Sequence, residues 1–240
     1  MLFTSSIQIL YTHSENQLPH LQGSSHDISF SCQFPTVESF YTQRGGRMEG
    51  AYREFETYWE NKGKVLPVPE LYLYIGKVKE FNDIGYSLPS KEGTQQVVAA
   101  FWSIGNQLEM EVSNLMDNGG LINGLILDVV GSRILVELHT VIQNWLKNEL
   151  ALPMGWNIIG ENYPEESGES NLQSLLNLTA ADNNNISLIS GTAMLTPQKT
   201  QYSIFLIGEG EAAELKKTVI CSTCMGRRCQ YWQLGGCHVS

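Results

Sequence analysis

The sequence predicts an α+β fold. Strand-like and helix-like stretches are both present, they do not alternate as regular βαβ units, and one helical stretch, Leu121 to about Leu150, is long enough to serve as a core helix. With 240 residues, 42% hydrophobic and 10% aromatic, the chain can bury a full core. Its longest apolar runs, VVAAFW and LINGLILDVV, fall short of the roughly 20 residues a membrane span requires, and no basic-then-apolar leader opens the chain. The expected location is therefore the cytoplasm. Asn-x-Ser/Thr triplets at Asn177 and Asn185 carry no weight without a secretory signal.

The first 47 residues are rich in Ser, Gln, His and Thr and hold no sustained apolar period, so little regular structure is expected there. The segment ends Gly45-Gly46-Arg47 before Met48, a run whose codons can spell a ribosome-binding sequence. Residues 1–47 are thus either a disordered extension or an upstream translation, with Met48 the true start. From Met48, Tyr52, Phe55, Tyr58 and Trp59 recur at helical intervals and predict a short amphipathic helix. Pro69 followed by ELYLYIG reads as the first turn of a second short helix. VVAAFWSIG, from Val97 to Gly105, is short, β-branched and aromatic, which predicts a buried strand. NQLEMEVSNLMDNGG predicts a helix stopped by Gly119 and Gly120.

Within the long helix, Leu125, Val129, Leu135, Leu138, Ile142 and Trp145 keep a helical spacing. Gly124 and Gly131 lower its intrinsic propensity by up to about 1 kcal/mol each relative to Ala. Close approach of another element, or of a ligand, would offset that cost. A solvated face accounts for Asp128, Glu137 and His139 at least as well as a site does, and Asp128 shares a face with Ser132. After the helix, GWNIIGENYPEESG reads as a loop and NLQSLLNL as a helix. Ile186–Leu195 and Gln201–Ile207 read as two strands joined into a hairpin by a turn at residues 197–199.

A net charge of −10 argues against nucleic acid, whose phosphates call for concentrated Lys and Arg. The one basic patch, Lys216, Lys217, Arg227 and Arg228, surrounds Cys221, Cys224, Cys229 and Cys237, where cationic neighbours favour thiolates. Gly-x-Ser-x-Gly, HExxH and Walker-type motifs are absent from the sequence.

Four stretches, in order, resemble the reactivation domain of cobalamin-dependent methionine synthase and its free-standing relatives: SIGNQLEMEVSNLM, LDVVGSRILVEL, ENYP and AMLTPQKTQYSIFLIG. The resemblance runs from about Val97 to Ile207. It implies a C-shaped α+β domain, with a twisted antiparallel sheet and a long core helix, that binds S-adenosylmethionine and docks on a corrinoid protein. The implied task is reductive methylation, in which an electron and a methyl group restore cobalamin that has lapsed into cobalt(II). Residue by residue, Tyr163 matches the loop tyrosine near the ligand, Asp128 and Glu137 match the helix acids, and Pro197, Lys199 and Thr200 match the hairpin. The chain departs from the family in that loop. Ile158 stands where the family has an arginine and Gly160-Glu161-Asn162 replaces Ser-Pro-Gly, which removes a carboxylate grip and adds a negative charge.

Some short relatives end in Cys-x-x-Cys-x4-Cys-x-Tyr, a spacing followed here by Cys221, Cys224, Cys229 and Tyr231, with Cys237 as a fourth ligand. Four thiolates suit a 4Fe-4S cluster or a structural zinc. Disulfides fit a reducing compartment less well. The sequence thus divides into residues 1–47, a domain at 48–218 similar to the activation domain, and a four-cysteine tail at 219–240. Two functions are compatible with it. One is an activator that reduces, and with S-adenosylmethionine remethylates, the cobalamin of a methionine synthase or other corrinoid protein. The other is a non-catalytic module that docks on a corrinoid or other protein and carries a zinc knot.

Overall fold

A computed structural model describes residues 2–13, 25–33, 49–86, 88, 91–162, 169–182, 185–192 and 194–213. The predicted class is what forms: a mixed α+β domain around one sheet. Its centre is four antiparallel strands, β3 (Glu70–Gly76), β4 (Thr94–Ser103), β8 (Thr200–Gly208) and β5 (Asn157–Asn162), in the spatial order β3-β4-β8-β5. Two further strands, β1 (Leu2–His13) and β2 (Ser25–Gln33), extend the sheet beyond β3, with β1 parallel to β3 and antiparallel to β2. Over these two spans the backbone differs from the expectation of little regular structure. Pairing on both edges of β1 decides the local conformation where composition does not, and Ile7 is buried in the core.

Helices cover both faces of the sheet. On one face lie α1 (Glu49–Asn61), α3 (Gln107–Asp117) and α4 (Leu121–Trp145). Here Phe55 and Trp59 of α1 and Leu127, Ile134 and Leu138 of α4 meet Leu71, Leu73, Val98, Ala100, Trp102, Phe205 and Ile207 of the strands. A side chain as fully buried as Phe55 or Trp59 contributes roughly 2–3 kcal/mol of hydrophobic stabilisation. On the other face, α2 (Val78–Asp83) and α5 (Glu169–Thr179) pack Phe81, Leu172, Leu175 and Leu176 against Tyr72, Phe101, Ile204 and Leu206. Odd and even positions of each strand therefore serve different helix layers, as a two-residue side-chain period requires. Among the described residues, no helix is long and apolar enough to cross a membrane.

The predicted helices at Met48, after Gly105, from Leu121 and at NLQSLLNL all form, and the long helix continues past Trp145 as a π turn over Leu146–Ala151. Leu135, Leu138, Ile142 and Trp145 are buried as expected, and the stripe differs from the predicted one in the first half of the helix. Leu125 and Val129 are only partly buried, whereas Leu127, Val130, Gly131 and Ile134 face the core. A Cβ on Gly131 would lie 2.8 Å from Leu108 Cδ2 and 3.2 Å from Ile104 Cδ1, so close packing of α3 explains that glycine.

Three sequence expectations are corrected. ELYLYIG is strand β3, because Leu71, Leu73 and Ile75 fill one face while Tyr72 fills the other. The predicted loop at 155–168 begins with strand β5, its Ile158 and Ile159 buried on opposite faces. The second strand of the expected hairpin forms as β8, but it pairs with β4 and β5. Residues 186–196 instead close on themselves as a small ladder of β6 (Ser187–Leu188) and β7 (Leu195–Thr196).

Candidate functional site

Lys199 gathers three of the four stretches that carry the resemblance. It sits in the turn between β7 and β8, and the turn's course brings it against the first turn of α3 and the second of α4. Its ammonium donates to Asp128 Oδ1 at 2.7 Å and Ser132 Oγ at 2.8 Å, side chains one helical turn apart on α4. The Lys199 backbone N–H donates to Glu109 Oε1 at 2.5 Å, and its carbonyl accepts from the Ile104 N–H at 3.2 Å. Beside it, Thr200 Oγ1 donates to Ser103 Oγ at 3.0 Å. Burial pushes the Glu109 carboxyl above the usual carboxylate range, against the pull of the Lys199 and Gln198 N–H groups and the Lys199 charge. The knot is a charge-assisted network that locks β4, α3, α4 and β8 together.

Beside the knot is a cleft of about 240 Å³ lined by Val68, Glu70, Gly105, Asn106, Gln107, Asn185 and Pro197. Glu70 is the carboxylate in it, accepting from Tyr72 Oη and Asn185 Nδ2, both at 3.1 Å. Burial, and then the Glu70 charge, raise the Tyr72 phenol above its ordinary range, so it stays a donor.

A second polar group lies inside the core between α4, β5 and β8. Glu161 Oε1 is 2.5 Å from His139 Nε2 and accepts from Ser203 Oγ at 2.9 Å, while Oε2 accepts from Gln143 Nε2 at 2.9 Å. The His139 and Glu161 side chains are each 2% exposed. The imidazole stacks on Trp102, with ring centroids 5.3 Å apart and planes 6° apart. For His139 the structure decides between the two readings the sequence left open, and for Glu161 it departs from the expected one. His139 is buried, not on a solvated face, and Glu161 turns its charge inward instead of adding it to the loop.

Of the residues matched through the resemblance, Asp128, Lys199 and Thr200 come together, and Pro197 lines the adjoining cleft. Glu137 does not join them. It pairs with Arg133 at 2.8 Å and stands nine residues from Asp128, about half a turn round the helix. Ile158, in place of the arginine, is 4% exposed within the core. Tyr163 and the tail cysteines Cys221, Cys224, Cys229 and Cys237 lie outside the described residues. Among the described residues, no group of three or more His, Cys, Asp or Glu side chains could hold a metal ion. Sequence reading missed Glu109, whose role depends on where the distant Lys199 turn docks, and the Glu161–His139 pair. An acid in α3's first turn reads equally well as a partner of the helix dipole. Comparison with protein-family models gives no match, and comparison with curated proteins gives none either.

Proposed function

We propose that this chain is an activator in corrinoid metabolism, a free-standing relative of the methionine synthase activation domain that reduces the cobalamin of a cytoplasmic methyltransferase or other corrinoid protein. The observation that supports it most is the convergence on Lys199. Stretches far apart in sequence, each resembling the same domain, are joined by direct hydrogen bonds that Lys199 donates to Glu109, Asp128 and Ser132. The sequence of the tail adds support, because Cys221, Cys224, Cys229 and Cys237 supply the four thiols that a 4Fe-4S cluster or a zinc ion would need. A bound cluster would pass one electron at a time to cobalt(II), drawn from an external low-potential electron-transfer protein. The chain's own part is to present α3, α4 and β8 to the partner, and Arg227 and Arg228 are near the thiols in sequence, where their charge would favour thiolates.

Two features weigh against a grip on S-adenosylmethionine of the family's kind, while Tyr163 lies outside the described residues. Asp128 is already neutralised by Lys199, and Ile158 is buried in β5 where a guanidinium would be needed. No step is therefore assigned to that ligand. The pairing of Asp128, which engages it within the fold, favours a second reading, a non-catalytic module that docks on a corrinoid or other protein, with the tail as a zinc knot.

Anaerobic purification separates the two readings. The activator is expected to be brown, to contain iron and sulfide, and to lose them when any one of Cys221, Cys224, Cys229 or Cys237 becomes Ser, while Cys32→Ser retains both. A colourless protein with stoichiometric zinc establishes the docking module. Wild-type metal content in all five variants, including none, removes the redox function.

A further inference from the structure

We infer that the cleft beside the Lys199 knot is a binding site for a primary alkylammonium group, with Glu70 as its counter-ion. The inference goes beyond the proposed function, and neither cobalamin nor the tail enters its grounds or its test.

Glu70 opens β3 at the rim of the sheet, where the chain also leaves β4 through Gly105 and enters α3. Glu70 is the one charged residue of the cleft's lining. Its half-buried carboxylate forms no ion pair with a described residue. The Lys199 ammonium is committed to Asp128 and Ser132. What holds Glu70 is neutral: Tyr72 Oη donates to Oε2 and Asn185 Nδ2 donates to Oε1, both at 3.1 Å. Asn185 reaches it from a backbone with φ +83°, a left-handed conformation that asparagine adopts more readily than most residues. A carboxylate offers about four lone-pair directions, so these two donors leave about two open.

The lining also selects among cations. Calcium or magnesium asks for about six or more oxygen ligands, several of them carboxylates or waters, and Glu70 is the sole acid of the lining. An ammonium needs only a few acceptors. Asn106 caps α3 without a side-chain hydrogen bond, so its amide oxygen is available beside Glu70. The positive end of α3 faces the same cleft, but Glu109 in the first turn offsets it. Val68 and Pro197 supply an apolar wall on which methylenes can lie. A volume of about 240 Å³ holds roughly eight water-sized groups at about 30 Å³ each, which suits an ammonium on a short alkyl chain. The net charge of −10 draws cations toward the protein. Such a group has two sources, a free small amine or a lysine side chain of a partner protein.

The test is a titration of the full isotope-labelled chain with n-butylammonium chloride at constant ionic strength, followed through the amide resonances of Asn106, Gln107 and Asn185. These are expected to shift saturably with a millimolar Kd, while n-butanol, of the same length and uncharged, leaves them in place. Glu70→Gln keeps the size of the side chain and removes its charge, and it should weaken binding about ten-fold. Gln107→Glu adds a second acid at the exposed start of α3, where an acid also suits the helix, and should tighten binding about three-fold. This second variant decides the matter should Glu70→Gln fail to fold. No saturable shift with butylammonium, equal shifts with butanol, or an unchanged Kd in either variant overturns the inference. A further titration with Nα-acetyl-lysine N-methylamide separates the sources: equal binding assigns the cleft to a partner's lysine, and binding of butylammonium alone assigns it to a free amine. Neither result depends on the metal content of the tail, so failure here and failure of the proposed function are told apart.

Discussion

At the scale of the residue, Lys199 is held by its amide, its carbonyl and its ammonium, so its removal has a defined cost. Lys199→Met leaves Asp128, whose side chain is 18% exposed, without its counter-ion. It is expected to destabilise the fold by about 2 kcal/mol, seen as a lower urea midpoint at unchanged slope. Glu109 and Glu111, two residues apart on α3, should respond to pH with opposite signs. Burial raises the Glu109 carboxyl, so its ionisation opposes folding as pH climbs through the ordinary glutamate range, about 4.3, and beyond. The Tm of Glu109→Gln relative to wild type should therefore increase from pH 4 to pH 7. Glu111 is held low by the Lys62 hydrogen bond, despite some burial, and by Tyr58 and Asn114; its contribution is present at neutral pH and is lost as pH falls below that range. Glu111→Gln should accordingly be less stable than wild type at neutral pH and draw level with it as pH is lowered from about 5 to about 3. Asp128, Lys199 and Thr200 were legible through the motifs that contain them. Glu109 was not, because the turn that needs it lies 90 residues away.

At the scale of the element, the period of apolar residues revealed α1, α3, α4 and α5, since each buries one face and exposes the other. It misled at β3, where leucines and tyrosines fill both sides and Pro69 imitates a helix start. Side-chain parity could not locate Glu161 either, because a bulge changes the count without leaving a signature in NIIGEN. The glycines of α4 were read more successfully: the close approach expected at Gly131 is that of Leu108 and Ile104. Gly131→Val should overfill this contact and lower stability by about 1–3 kcal/mol, measured by chemical denaturation. Gly93 offers a sharper case. Its φ is +84°, its carbonyl accepts from the Glu209 N–H at 2.9 Å, and a Cβ there would overlap the Glu209 carbonyl oxygen.

At the scale of the whole molecule, α+β was legible because strands and helices occur without βαβ alternation, whereas the sheet's order was not, because it depends on pairings across the chain. The two N-terminal strands were the largest omission. Deleting residues 1–47 removes the parallel partner of β3 and the buried Ile7. A protein beginning at Met48 is expected to melt several degrees lower and to self-associate through the bared edge, as light scattering would report. Mass spectrometry of the native N-terminus states which form the cell makes. The pairing of β4 with β8 carries a consequence in time. Ala99 meets Ile204, so a nascent β4 waits for about 100 further residues before its second edge is closed. At ribosomal rates of roughly 5–20 residues per second, that is about 5–20 s during which one of the most apolar strands of the chain is half paired. α3 and α4 are translated within that interval, and they are the elements whose side chains cover the α4-facing side of β4. Helices drawn from the middle of the gene thus act as the strand's own escort until its partner leaves the ribosome.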